Sequence, residues 1–193
     1  MYHFFAMLSR MKYIHRWGLM RNTREENLSE HCFETAVLAH ALVLIHNREF
    51  GGNLNADRAA TLALFHDAPE IITGDLPTPV KYYNQDVRES YALVEDMAKQ
   101  KLLSLLPDDF QEPYADIVLF ENRDDPLNRF VKAADKLSAL IKCLEEERSG
   151  NSEFRKAEQA TRAAIEAMQL PEADYFMKHF LPSYQLTLDE QDN

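Results

Sequence analysis

The stretch that most restricts the fold is "SEHCFETAVLAHALVLIHN", residues 29–47, which is apolar around most of its circumference when wound at helical pitch. A surface helix hides a single stripe, but this segment offers water almost no polar face and must be covered from several sides. It therefore belongs in the middle of a helical bundle, and the remaining chain has to supply its cover. Asn27 followed by Glu30 is the capping signal for its start.

That cover is legible. Residues 3–14, "HFFAMLSRMKYI", put Phe4, Phe5, Leu8, Met11 and Ile14 at helical spacing, and "HRWGLMRNTREENLSEH" after them reads as an ordered loop. Asn55 caps a helix "ADRAATLALFHDAPEII", in which Pro69 predicts a kink or an early end. "DLPTP" predicts a stiff, extended loop over residues 75–79. A long helix follows from about Asp86 to Leu106, then a shorter one within residues 107–122. Asp125-Pro126 opens a helix that runs to Gly150, and two more precede an acidic tail, residues 185–193, that reads as frayed. With 5 glycines and no convincing period-two alternation, the expectation is an all-α, single-domain bundle over residues 1–184.

Charge and cysteine usage narrow the function. With 32 acidic and 21 basic residues the net charge is −11, which repels nucleic-acid polymers and anionic membranes while leaving a small phosphate ligand admissible beside a metal or an arginine. Cys32 and Cys143 form no CxxC pair, so neither a disulfide framework nor a thiolate zinc site is expected. Arg10, Lys12 and Arg16 interrupt the N-terminal apolar run, and no stretch of about 20 apolar residues is read as a membrane span. A reducing cytoplasm is the expected location.

Against that background, a few polar residues stand where apolar ones belong. His31 lies in the first turn of the central helix, His66-Asp67 near the end of another, Glu70 one turn later, and Asp135 inside "FVKAADKLSAL". Singly, each has a bland reading as a hydrogen-bonded core residue or an ion pair. Together they do not, because burying carboxylates costs several kcal/mol each unless a cation compensates. A divalent metal held by two imidazoles and two carboxylates would compensate both at once.

The ordered set His31, His66-Asp67 and Asp135 resembles the H…HD…D signature of the HD-domain metal-dependent phosphohydrolases. "IHRW", "TREENLSEH", "HDAPE", "TGDLPTPVKYYN", "KAADKLSALIKCLEE" and "LTLDE" extend the likeness, over essentially the whole chain, to the bacterial 5′-deoxynucleotidases of that superfamily. The resemblance implies hydrolysis of the 5′-phosphate of deoxyribonucleoside monophosphates with one divalent metal on His31, His66, Asp67 and Asp135. A mixed nitrogen and oxygen set suits Co²⁺, Mn²⁺ or Zn²⁺ better than Ca²⁺. It further implies a phosphate contact at Arg16, a sugar contact at Trp17 and a substrate loop of Asp75, Leu76, Pro77 and Thr78. Glu70 becomes a general acid or base, with Asp67 and Arg16 beside it in catalysis, while His31 and Asp67 also face substrate. Lys81 is either added charge or a solvated side chain. A homodimer is expected, with the helix of Phe4 and Phe5 as a candidate interface. The rival readings are another HD activity, on nucleoside triphosphates, cyclic dinucleotides or alarmones, and a metal-binding regulatory module without turnover.

Overall fold

The computed structural model describes residues 1–81, 83–120 and 125–192. Tyr82 of the "VKYYN" motif and the end of the helix expected over 107–122 lie outside them. The central helix α2 spans Leu28–Glu49, after a short α1, Phe4–Leu8, and a 3₁₀ segment, Ser9–Tyr13. Its start is a complete capping box: Asn27 accepts from the Ser29 and Glu30 amides, and Glu30 accepts from the Asn27 amide. Helix α3, Ala56–Phe65, is capped by Asn55; α8, Pro126–Arg148, is capped by Asp125 with Pro126 at its first position.

Between α3 and α8 lie α4, Glu70–Thr73; α5, Thr78–Lys81; α6, Gln85–Leu103; and α7, Asp108–Val118. After α8 come a 3₁₀ turn, Ser152–Phe154, then α9, Arg155–Ala167, and α10, Pro171–His179. A 3₁₀ segment, Leu181–Gln185, leads to α11, Leu188–Gln191. Among the described residues no strand forms, and the extended pairing is an isolated bridge between His15 and Asn27.

The cover demanded by α2 is supplied by α3, α8 and α10, which pack on it around Leu38, Leu42, Leu62, Phe130, Leu137, Ile141 and Phe176. α2 does reach the length and mean hydropathy, 1.3, of a bilayer span, contrary to the expectation of no such stretch. Burial by three neighbours accounts for part of that composition, 56% of the apolar window, while Phe33, Val37 and Leu44 remain exposed. A second apolar cluster joins Phe4 to Ala68, Leu102, Leu103, Leu106 and Val118.

Several expectations need correction. Phe4 is 1% exposed and packs edge-on against Tyr114, so it is core; of the proposed aromatic pair only Phe5, 61% exposed, reaches the surface. The helix through His66 breaks at the motif, as Pro69 predicts, rather than running on to Ile72. It ends at Phe65 and restarts at Glu70, so the i, i+4 geometry supposed for His66 and Glu70 is replaced by a turn with Pro69 as the second cap. Residues 75–79 are extended only to Pro77, because Thr78 and Pro79 begin the single turn of α5. The tail is not merely frayed: Thr187 and Glu190 form a capping box for α11, and Gln191 donates to the Ser183 carbonyl at 3.0 Å.

Candidate metal centre and nucleotide site

The site forms where α2, the α3–α4 break and α8 converge. His31 points inward from the first turn of α2 and is 0% exposed. Its Nδ1 lies 3.1 Å from Ser138 Oγ on α8, and Ser138 donates to Glu34 at 2.5 Å. With Nδ1 engaged behind the ring, Nε2 is presented forward, 3.4 Å from Asp67 Oδ2 and 3.2 Å from Asp135 Oδ1.

The neighbouring break in α3 supplies the second imidazole. A helix C-terminus leaves carbonyls without amide partners, and His66 Nδ1 donates to one of them, Ala63 O, at 2.6 Å. That bond places the proton on Nδ1 and leaves the Nε2 lone pair free. Nε2 lies 3.0 Å from Asp67 Oδ2 and 4.0 Å from Asp135 Oδ1. Both Nε2 atoms are buried and, among the described residues, neither has the angle for a hydrogen bond, close as the carboxylate oxygens are. Two orphaned imidazole nitrogens turned toward carboxylate oxygens are what a cation-binding centre requires, and His31, His66 and Asp67 offer atoms within 4.8 Å of one another. Asp135 joins the group through its approach to both imidazoles.

The electrostatics are strained in a way a cation would relieve. Burial disfavours the Asp67 carboxylate, yet the His66 and His31 imidazoles hold it well below the usual range. Burial likewise opposes ionised Asp135, and His31 brings it down to about 2. Burial opposes the His66 imidazolium too, but Asp67 more than offsets this and raises its pKa well above the ordinary value. Glu70 behaves in the opposite sense. It is 7% exposed, its Oε2 has no hydrogen-bond partner among the described residues, and burial, with the charges of Asp67 and Asp75, pushes it up to about 9. Asp75 is also raised, chiefly by burial, with Arg16 pulling the other way.

Arg16 approaches Asp67 at 3.6 Å and Glu26 at 3.7 Å. Burial disfavours its charge, but Glu26, Asp135, Asp67 and Asp75 together raise its pKa further. Trp17 adopts φ 59°, its indole N–H donates to Glu26 at 2.8 Å, and its ring packs against Phe154 at 5.3 Å. Asp75 accepts from the Trp17 backbone, which joins the two substrate-side loops. Leu76 and Pro77 are half-buried, whereas Thr78 is exposed at the start of α5. Lys81 is not a solvated lysine: it pairs with Glu95 at 2.7 Å and lies over the Tyr91 ring, whose hydroxyl donates to Thr73 and to the Gly74 carbonyl. Gly74, at φ 74°, turns the chain there in a conformation that glycine tolerates.

Two participants escaped the sequence reading. Glu26 looked like one charge in "TREEN", yet it serves Arg16, Trp17 and, at 3.9 Å, His31 Nδ1. Ser138 looked like a small core residue. For Glu26, the only signal was its place five residues before His31 in the quoted "TREENLSEH"; for Ser138, its position three residues after Asp135 on the same helix.

A family model described as 5′-deoxynucleotidase YfbR-like matches residues 3–184. The chain is also 50% identical, over 97% of its length and 94% of the relative's, to 5′-deoxynucleotidase YfbR from Escherichia coli O1:K1 / APEC. The chain belongs to the 5′-deoxynucleotidase YfbR-like family. Relatives of the same name in E. coli O45:K1 match to the same extent, 50% over 97% of this chain and 94% of theirs. Among solved structures, an HD-domain phosphohydrolase from Listeria innocua superposes with TM-score 0.84 at 24% identity, covering 99% of this chain and 92% of that one. The cyanophage S-2L HD phosphohydrolase DatZ, bound to dA and one catalytic Zn²⁺ ion, gives TM-score 0.65 at 20% identity, covering 94% and 96%. At those identities the two structures establish a fold shared with HD-domain phosphohydrolases, and membership of the 5′-deoxynucleotidase YfbR-like family makes the chain a hydrolase.

Proposed function

We infer that this chain is a divalent-metal-dependent phosphomonoesterase that releases the 5′-phosphate of 2′-deoxyribonucleoside 5′-monophosphates, yielding the deoxynucleoside and inorganic phosphate. The observation that carries the reading is the pair of buried Nε2 atoms of His31 and His66, without hydrogen bonds among the described residues and turned toward Asp67 and Asp135. Charge balance supports it. Arg16 stands among Glu26, Asp67, Asp75 and Asp135, so a phosphate dianion would meet net repulsion unless another cation shared the site. The names of the relatives supply the substrate class.

On this reading His31, His66, Asp67 and Asp135 hold one ion, of which Co²⁺ or Mn²⁺ suits the mixed donor set. A divalent ion held there would supply an acidified water and polarisation of a phosphate oxygen. Arg16 pairs with the phosphate, and Asp67, touching Arg16 and both imidazoles, fixes their mutual placement. Glu70, protonated through burial, donates its proton to the leaving 5′-oxygen. Asp75 accepts from the 3′-hydroxyl, and Leu76, Pro77 and Thr78 line the sugar side. Trp17, pinned by Glu26 and Phe154, makes a rigid wall that crowds a 2′-hydroxyl.

Two buried free thiols suit the reducing cytoplasm as the working compartment. A homodimer is the proposed assembly; Phe33, Val37 and Leu44 form an exposed apolar stripe along α2, and light scattering reads the mass directly. The activity itself is tested with purified protein, Co²⁺ or Mn²⁺, and a panel of ribo- and deoxyribonucleotides, measuring phosphate release. Preference for deoxyribonucleoside monophosphates supports the reading. Release of triphosphate from deoxynucleoside triphosphates, or silence across the panel, overturns it.

A further inference from the structure

Residues 14–28 leave the core and return to the same place. Leu28 N–H donates to Ile14 O at 2.9 Å, Arg16 N–H donates to Glu26 O at 3.0 Å, and His15 bridges Asn27, so backbone pairing closes the base of the loop. The tip is closed by a side chain instead. Thr23 donates to Glu146 of α8 through its amide at 2.9 Å and its hydroxyl at 2.6 Å, and the Arg24 amide adds a bond at 3.3 Å. Glu146 is 1% exposed and also accepts from Lys142 Nζ and, at 2.8 Å, from Asn151 Nδ2. Those two helpers grip the loop themselves, Lys142 at the Arg24 carbonyl and Asn151 at the Arg21 carbonyl.

Arg16 is the last paired residue of the base, and Trp17 follows it toward the tip. A bulky residue at φ 59° persists only where its surroundings hold it. Trp17 leans on Phe154, which is fully buried and lies beneath Lys142 Nζ at 5.6 Å. The clamp and the tryptophan therefore share a floor.

We propose that Glu146 is a positioning residue for the nucleotide side of the site: by gathering the tip amides onto α8, it sets Arg16 and Trp17 in register with Asp135 on the same helix. The separation is 146 − 135 = 11 residues, about three turns. The proposal rests on the reading of Arg16 and Trp17 as nucleotide contacts. A purely structural Glu146 would cost stability without moving Trp17 relative to the metal centre.

Trp17 is the single tryptophan of the chain, so its fluorescence reports the loop independently of turnover. Glu146→Gln, the apolar pair Lys142→Met with Glu146→Leu, and Thr23→Ala are compared with wild type by acrylamide quenching, KM and kcat for deoxyribonucleoside monophosphates, and Mn²⁺ affinity by calorimetry. Expected in the two Glu146 variants are stronger quenching and a KM raised roughly tenfold, against Mn²⁺ affinity changed by less than about twofold. The apolar pair restores packing without restoring the clamp, so its quenching and KM stay altered even if its melting temperature recovers. Wild-type quenching and KM in the folded apolar pair, or Mn²⁺ affinity falling in step with the rise in KM, overturn the proposal. If neither Glu146 variant folds, Thr23→Ala decides: a smaller shift in the same direction supports the clamp, and unchanged quenching and KM overturn it. Wild-type protein that hydrolyses no deoxynucleotide defeats the functional reading instead, and the quenching comparison still judges the clamp.

Discussion

The two halves of the site are built by different means. On the metal side, His31, His66, Asp67 and Asp135 come from α2, the α3–α4 break and α8, helices packed through the main apolar core. On the substrate side, Arg16, Trp17 and Asp75 come from loops held by single part-buried side chains such as Glu26 and by the strut of Lys81, Tyr91 and Glu95. Hydrophobic packing is spread over many atoms, whereas a polar strut depends on one or two bonds. A substitution that leaves the metal side intact can therefore displace the substrate side, whereas on the proposed function losing a metal-side ligand is expected to remove both binding and reaction.

The sharpest way to break this contrast is at the shared residue. Asp67→Ala is expected to lower kcat/KM by roughly 10⁴-fold or more, because it removes the oxygen that both imidazoles and Arg16 approach. Calorimetric Mn²⁺ titration should show the metal binding lost with it, and retained binding with full activity would remove the metal reading. Glu70→Gln should cost about 10²–10⁴ in kcat with little change in KM. Its pH signature is directional. A general acid works while protonated, so wild-type activity falls as pH rises through the Glu70 value, which lies at about 9 without a cation and lower with one; the Gln variant should lack that limb.

The same group links to stability. Glu70 titrates higher folded than its ordinary 4.5, so the folded state holds a proton that the unfolded chain releases. Its contribution is complete below pH 4.5 and is lost as pH rises toward about 9. Thermal melts of chelator-treated protein should show this decline, and Glu70→Gln should flatten it. Ser138→Ala loosens the His31 ring from behind and is expected to weaken Mn²⁺ binding by roughly 10–100-fold. The smallest effect is reserved for the loops: Tyr91→Phe removes the hydroxyl tie to Thr73 and Gly74 and should raise KM by about fivefold, near ~1 kcal/mol, with Mn²⁺ affinity unchanged.

This contrast also explains what could be read in advance. His31, His66, Asp67 and Asp135 were legible because each interrupts an apolar helical pattern, and the caps at Asn27, Asn55 and Asp125 were legible because their partners lie within three residues. Glu26, Ser138 and Glu146 were not. Their partners are fixed by tertiary contact, as when Glu146 meets Thr23 across 123 positions, and locally they look like ordinary charges or a small core residue. The turn replacing a continuous helix at His66 was half visible in Pro69, but the imidazole that caps Ala63 required knowing which carbonyls the helix end leaves free.

The central helix has one more consequence, for the order in which the chain is made. α2 ends at Glu49 and α8, the next long helix to cover it after α3, starts at Pro126, so 126 − 49 = 77 residues must be synthesised before that cover begins to form. At bacterial to eukaryotic elongation rates this is roughly 4–15 s during which an apolar, span-length segment is shielded from one side at most by α3. The nascent chain then exposes far more of residues 29–47 than the folded protein does, and that is the stage at which the segment is open to chaperones.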